Sequence, residues 1–123
     1  MNIHEHDQEI RNHFNTFTVE EIANSTYFNG IDFNTESIES IMSYLNALFE
    51  NVKTLSEMID RNFKQKNDEH VLLPRDHNTQ EIIGRDYYEK SAVLSKALSN
   101  KYVYDRFIRY RKNEENNSNR LSK

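Results

Sequence analysis

The sequence of 123 residues has no cysteine, one proline and only two glycines. The absence of cysteine excludes disulfide bonds, thiolate metal sites and cysteine nucleophiles. The hairpins of a multi-stranded sheet need turns rich in glycine and proline, and this chain has almost no residues to build them. The composition therefore favours an all-α fold.

The sequence also lacks long apolar runs. No stretch of about 18 apolar residues occurs, and the first residues lack the basic-then-apolar order of a signal peptide. We therefore expect a cytoplasmic protein. Apolar residues make up 36% of the chain and charged residues 29%, so each helix should carry one apolar stripe and one solvated face.

Charge is distributed unevenly along the chain. Residues 1–70 contain 13 acidic and 5 basic side chains, which gives −8, whereas residues 71–123 contain 7 acidic and 11 basic ones, which gives +4. Between Asn12 and Val52 there is no lysine or arginine. This asymmetry predicts ion pairs between the two parts or a charged partner.

Two short helices are predicted near the N-terminus. The first spans residues 3–14. Thr18 is a good N-cap for the second, and Glu21 three residues later completes a capping box, so a helix should run over about 19–25. The following TYFNGIDFNT is interpreted as a loop that its aromatic residues hold against the core, with Gly30 free to adopt a positive φ.

The longest predicted element is a helix over about 36–63, capped by Thr35. Its apolar residues repeat with period seven over more than three heptads, and a third row widens the stripe beyond a two-stranded seam. The heptad positions are Ile38, Ile41, Leu45, Leu48, Val52, Leu55 and Ile59, and the third row is Met42, Phe49 and Phe63. Such a helix has to pack against at least two others, either in its own chain or in a homodimer.

A polar connection leads to a second long helix. Its apolar residues 71–73 precede Pro74, so we expect a loop that folds onto the bundle. Asn78, with Glu81 three residues later, begins a helix over about 79–112. The apolar stripe of its first part is Ile83, Tyr87, Leu94, Ala97 and Leu98.

The phase of this stripe changes near Ser99 and Asn100. Without a change, Lys101 and Asp105 would face the core, so we predict a kink or a new helix at 99–100. The stripe beyond it is Val103, Phe107 and Tyr110, joined by Tyr104 and Ile108. Residues 113–123 show no apolar pattern and are expected to be a disordered polar tail after a single helical domain, 1–112.

No catalytic motif can be identified. There is no glycine-rich phosphate loop or nucleophile elbow, and no Glu-x-x-His of the kind that di-iron bundles need. His6, Glu9 and His13 would share one helical face and could hold a divalent metal. An exposed polar N-terminus explains them more simply, as it does His4, and the loop explains His70 and His77. We predict no enzyme activity, no cofactor and no metal.

The most unusual stretch is residues 101–112, KYVYDRFIRYRK. It has five basic residues, three tyrosines and a phenylalanine within twelve positions. Basic and aromatic side chains together can bind nucleic acid, contact a protein partner or form the last helix of a bundle. Tyrosine and arginine are enriched at the centres of protein interfaces. The expected partner-binding residues are Tyr102, Arg106, Arg109, Tyr110, Arg111 and Lys112.

From these observations we expect a non-enzymatic regulator or inhibitor that acts by binding another protein. The 16 asparagines are typical of an AT-rich genome, such as that of a phage or another mobile element. One alternative is a nucleic-acid-binding protein that uses the basic, aromatic helix. Another is a structural homo-oligomer, with a homodimer formed through the helix at 36–63.

Overall fold

A computed structural model shows five α-helices, which confirms the predicted all-α fold. The structure describes the backbone of residues 3–67 and 77–121, and the side chains of 6–61 and 79–116; within these ranges there is no strand. The helices are α1 (Ile3–Phe14), α2 (Val19–Ser25), α3 (Ile38–Asn67), α4 (His77–Leu98) and α5 (Lys101–Leu121). No helix in these ranges is long and apolar enough to cross a lipid bilayer.

The predicted capping box begins α2. The Glu21 backbone N–H donates to Thr18 Oγ1 at 3.1 Å, and the Thr18 N–H donates to Glu21 Oε1 at 2.9 Å. Two N–H groups without helical partners are thereby satisfied. Phe17, just before the cap, is buried, and Ile22 packs against the same cluster, so the chain enters this helix along a fixed path.

The loop between α2 and α3 is held to the core as predicted. Phe28 and Phe33 are buried, Tyr27 and Ile31 are partly buried against the same cluster, and Gly30 has φ +79°. Arg11 of α1 anchors the loop, because its guanidinium donates to the carbonyl oxygens of two loop residues, 33 and 36, both at 2.6 Å.

The start of α3 differs from the prediction. The N-cap is Ser37, whose Oγ accepts from the Ser40 N–H at 3.1 Å, and the helix begins at Ile38. The predicted cap, Thr35, instead lies in a turn in which its N–H donates to the Asp32 carbonyl. Asp32 Oδ1 also accepts a loop N–H, and this local turn delays the helix by two residues.

The heptad stripe of α3 provides its inner face. Along the first three turns the stripe is almost completely buried, whereas Val52 and Ile59 are half-buried. The helix extends to Asn67, four residues beyond the predicted end. The buried residues of α3 are Ile38, Ile41, Met42, Leu45, Leu48 and Leu55.

A new helix begins at Lys101, which confirms the predicted change near 99–100. Asn100 is its N-cap, since its Oδ1 accepts from the N–H groups of Tyr102 at 2.9 Å and Val103 at 3.2 Å. The helix α4 begins at His77, two residues before the predicted start at 79. The side chain of Asn78 and residues 71–74 of the predicted loop lie outside the described residues.

Three details of α4 and α5 correct the prediction. Val93, absent from the predicted stripe, is buried, whereas Tyr104, assigned to the stripe, is 48% exposed. The helix α5 continues to Leu121 instead of giving way to a disordered tail at Asn113. Without proline or glycine in 113–121, nothing local interrupts the helix, and the side chains of 113–116 are all exposed.

The core lies where all five helices meet. α3 packs against α4 and α5, α2 packs against α4, α4 also contacts α5, and α1 packs against α5. An aromatic group within the core comes from α1 and the connections on both sides of α2: the Phe14 ring lies 5.4 Å from Phe17, 5.5 Å from Phe28 and 5.2 Å from Phe33 between centroids. Val103 and Phe107 of α5 belong to the same buried cluster.

Lys96 joins three helices at the end of α4. Its Nζ lies 2.9 Å from Glu21 Oε1 of α2 and 4.6 Å from the centre of the Phe17 ring. Its carbonyl oxygen accepts from His13 Nε2 of α1 at 2.8 Å. The ion pair is one of those predicted between the acidic and basic parts of the chain.

The backbone of the loop gives a testable prediction about strain. Thr26 caps the C-terminus of α2 with φ +59°, a left-handed conformation that is costly for a β-branched residue. Replacing Thr26 with glycine should raise the free energy of unfolding by a few tenths to about 1 kcal/mol. Gly30→Ala should lower it by about 1 kcal/mol, because the position has a positive φ although an added Cβ would meet nothing within 4 Å. Urea denaturation measures both, and effects of the same sign would contradict the prediction.

A second prediction concerns Glu21 and pH. The hydrogen bond from the Thr18 backbone, and then Lys96, lower the pKa of the Glu21 carboxyl. A pKa lower in the folded state stabilises the fold above the unfolded value, about 4.3, and this stabilisation is lost as the pH falls through the folded pKa. Glu21→Gln keeps a capping acceptor but loses the charge, so it should cost below about 1 kcal/mol at pH 7 and progressively less in acid. Denaturation over a pH series tests this, with Glu20→Gln in the same turn as control; a difference that grows in acid would contradict it.

Candidate functional site

The helix α5 has an inward face that belongs to the core. Val103 and Phe107 are buried, and Tyr102 and Tyr110 are partly buried against the main cluster. The stripe predicted for this helix is therefore confirmed at its central positions. The tyrosines expected to contact a partner, Tyr102 and Tyr110, lie mainly within the protein's own packing.

Arg106 pairs with the N-terminal helix. Its guanidinium forms an ion pair with Asp7 of α1, and its side chain is only 16% exposed. In the adjacent turn, the ring centre of Tyr102 lies 4.8 Å from that of His6 of α1. This side of α5 is therefore the contact surface for α1.

Arg111 is fixed against α3. It donates to Asn46 Oδ1 at 2.6 Å and to Glu50 Oε1 at 3.0 Å, and its guanidinium carbon lies 4.2 Å from the centre of the Phe49 ring. The same group lies 5.9 Å from the Phe107 ring centre. An arginine held by hydrogen bonds, an opposite charge and an aromatic face is positioned as a structural residue.

A shallow groove of about 500 Å³ lies beside Arg111, between α3 and α5. Its lining has three carboxylates and two basic groups, and Arg111 already uses Glu50 and Asn46 as partners. This mixture forms neither an anion-binding nor a cation-binding pocket. The lining residues are Asn46, Glu50, Ile108, Arg111, Lys112, Glu114 and Glu115.

The outward face of α5 differs from the sides held by α1 and α3. Lys101, Tyr104, Arg109 and Lys112 are exposed, and Ile108 is half-buried among them. None of the three basic groups forms an ion pair with a carboxylate that the structure describes. We call these five residues the α5 outer face.

Asp105 interrupts the positive charge of the α5 outer face. It is exposed and lies four residues from both Lys101 and Arg109, so the three form one row of alternating sign along the helix. Together with Asp105, the α5 outer face therefore combines cations, one carboxylate and the apolar surface of Tyr104 and Ile108. Such a mixture is typical of protein-binding surfaces.

The N-terminal histidines have internal contacts. His6 lies against Tyr102, and His13 Nε2 donates to the Lys96 carbonyl at 2.8 Å. Among the residues whose positions the structure describes, no three His, Cys, Asp or Glu side chains are grouped to hold a metal ion. The side chains of His4, His70 and His77 lie outside the described residues.

Of the six predicted partner-binding residues, the structure leaves two, Arg109 and Lys112, on an open surface. Lys101, Tyr104 and Ile108 lie beside them, although the sequence had not marked these residues for binding. The helical period gave only part of this signal: positions 101, 109 and 112 point away from the buried Val103 and Phe107, whereas Tyr104 and Ile108 lie nearer to the buried side and were assigned to the apolar stripe. Their identification required knowing which face α1 and α3 cover.

No protein-family model, curated protein or solved structure matches this chain. What the chain binds is therefore inferred from its own surface.

Proposed function

We propose that this chain is a non-enzymatic protein that acts as a regulator or inhibitor by binding another protein through the α5 outer face. The observation that carries the proposal is the contrast along one helix. Arg106 forms an ion pair with Asp7 and Arg111 with Glu50, whereas the exposed basic groups of the α5 outer face have no carboxylate partner within the described chain. A protein surface that carries carboxylates around an apolar patch fits this face, with Tyr104 as a central aromatic anchor.

The same geometry weighs against nucleic acid as the principal ligand. Of the five basic residues in 101–112, two are internally paired, which leaves three for phosphates. Asp105 stands between two of these and would repel a phosphate backbone. Nucleic acid remains the alternative, and it predicts an affinity that falls steeply with salt, whereas an interface with apolar anchors retains part of its affinity.

The test uses matched charge reversals. Arg109→Glu with Lys112→Glu reverses two charges on the α5 outer face, and Lys53→Glu with Arg61→Glu reverses two exposed charges on α3. The immobilised protein is incubated with lysate at low and high salt, with and without nuclease. We expect the wild type to capture one protein in stoichiometric amount, and this capture to persist after nuclease and at high salt. The α5 variant should capture at least about tenfold less of that protein, and the α3 variant should capture as much as the wild type.

Two results would contradict this proposal. Capture of nucleic acid alone, removed by salt, would assign the face to phosphate binding. Equal loss of the captured protein with both variants would show that it binds through general charge and not through α5. Circular dichroism of both variants should match that of the wild type, because neither pair of residues takes part in a described ion pair.

A further inference from the structure

The loop between α2 and α3 contains a chemically reactive pair of residues. Asn29 is followed by Gly30, and none of the other asparagines of the chain precedes a glycine. Asparagine is one of the thermolabile residues of proteins, because the main-chain nitrogen of the next residue can attack its side-chain amide. Glycine favours this attack most, since it has no Cβ to hinder the nitrogen and restricts the backbone least.

The structure leaves this pair open to solvent. Asn29 and Gly30 are both exposed, and a Cβ built on Gly30 would meet no heavy atom within 4 Å apart from its chain neighbours. The side chain of Asn29 forms no hydrogen bond with any group that the structure describes. Asn34 in the same loop differs, because its Oδ1 accepts from Asn15 Nδ2 at 2.7 Å.

The peptide group between Asn29 and Gly30 is also unrestrained. Residues 28–31 form a turn that one hydrogen bond closes, from the Ile31 N–H to the Phe28 carbonyl at 3.2 Å. Within the described chain, neither the Asn29 carbonyl oxygen nor the Gly30 N–H forms a hydrogen bond. Gly30 has φ +79°, and glycine adopts either sign of φ at little cost. The peptide group can therefore rotate towards the side chain of Asn29 without losing a hydrogen bond of its own.

We propose that Asn29 is a site of spontaneous deamidation and that its isoaspartate product loosens the loop from the core. The Gly30 nitrogen gives its proton to base and forms a bond to Asn29 Cγ, while the Cγ–Nδ2 bond breaks and ammonia leaves with a proton from water. One water molecule then opens the five-membered imide. Opening at Cγ gives aspartate, and opening at the main-chain carbonyl gives isoaspartate. The reaction needs only base and water, and it does not depend on the proposed function.

The two products differ in their effect on the fold. Each adds one negative charge at an exposed position, but isoaspartate also routes the main chain through Cβ and Cγ and lengthens it by one carbon. Phe28, directly before the site, is fully buried with its ring centre 5.8 Å from that of Phe33, and Ile31 is partly buried against the same cluster. Closely packed interiors tolerate little displacement. The lengthened turn therefore cannot keep both Phe28 and Ile31 in place.

Ageing of the full chain at mildly alkaline pH tests the site. Peptide mapping by mass spectrometry measures the conversion of each asparagine and distinguishes aspartate from isoaspartate. We expect both products at residue 29, formed at least about tenfold faster than at Asn34. Asn34 is the matched control, because it is exposed in the same loop but is followed by Thr35. The rate at residue 29 should rise with pH, since the attacking nitrogen must lose its proton.

Hydrogen exchange tests the effect on the loop. In the isoaspartate form, separated by chromatography, the amides of residues 31–36 should exchange at least about tenfold faster than in the fresh protein, and those of α3 should change less. Asn29→Asp carries the new charge without the longer main chain and should exchange like the fresh protein. Asn29→Gln cannot form the five-membered imide and should keep its loop protected after ageing.

Two results would overturn the proposal. Conversion at Asn29 that is no faster than at Asn34 would show that the turn does not permit the attack. An isoaspartate form whose loop exchanges as slowly as that of Asn29→Asp would show that the longer main chain is accommodated without loosening the core contacts.

Discussion

Replacing Phe14 with alanine is expected to lower the free energy of unfolding by about 3–5 kcal/mol. Phe14 is fully buried, and three other phenylalanine rings surround it at centroid distances of 5.2–5.5 Å. Truncation removes the apolar area of the ring and leaves a cavity beside the three neighbouring phenylalanines. Domains of this size are stable by about 5–15 kcal/mol, so a large part of the variant could be unfolded at 37 °C.

Guanidinium denaturation followed by circular dichroism measures this loss. Tyr88→Ala provides a matched aromatic control, because Tyr88 is 74% exposed and its truncation should change the stability by about 0.5 kcal/mol or less. Both variants should be measured at low concentration so that self-association does not affect the measured free energy of unfolding. Similar losses for the two variants would show that the phenylalanine group is not the centre of the core.

The second large effect is expected at Arg11, where methionine should cost about 2–3 kcal/mol. Methionine preserves much of the aliphatic length but cannot donate to the carbonyl oxygens of Phe33 and Glu36, which Arg11 binds at 2.6 Å each. Both hydrogen bonds are charge-assisted and link α1 to a loop that has no regular secondary structure of its own. Their loss should loosen the loop before the helices.

Hydrogen exchange distinguishes this loosening from general destabilisation. In Arg11→Met the amides of residues 28–36 should exchange faster relative to those of α3, whereas Phe14→Ala should accelerate both. Gln8→Ala is the control, since its hydrogen bond to Asn12 lies on an exposed helix surface. Uniform acceleration in Arg11→Met would mean that the arginine does not act on the loop specifically.

Local features of the fold could be predicted from the sequence because their causes lie within a few residues. The capping box of Thr18 and Glu21 needs only a separation of three, and the break at Asn100 follows from a change in helical phase. The prediction of the α3 N-cap was wrong because a nearby side chain competed for the same backbone. Asp32 organises a turn that includes Thr35, so the cap is Ser37. The length of α5 was underestimated because the absence of an apolar stripe does not terminate a helix.

The site was harder to predict than the fold because its charges are satisfied over long sequence distances. Arg106 pairs with Asp7, 99 residues away, and Arg111 with Glu50, 61 residues away. A list of basic residues in one segment cannot show which of them already have partners. The imbalance of charge between the two parts of the chain predicted such pairs, but only the packing of α1 and α3 on α5 identified them.

The packing of α1 against α5 has a consequence for how the chain folds during synthesis. His13 binds the carbonyl of Lys96, 83 residues later, and α1 contacts α5 beyond it. α1 therefore cannot complete its contacts until α5 has emerged from the ribosome, and closing so long a loop is slow. We expect Phe14 and Arg11 to reach the loop before α5 is made, while His6 and Asp7 wait for their partners in α5, Tyr102 and Arg106.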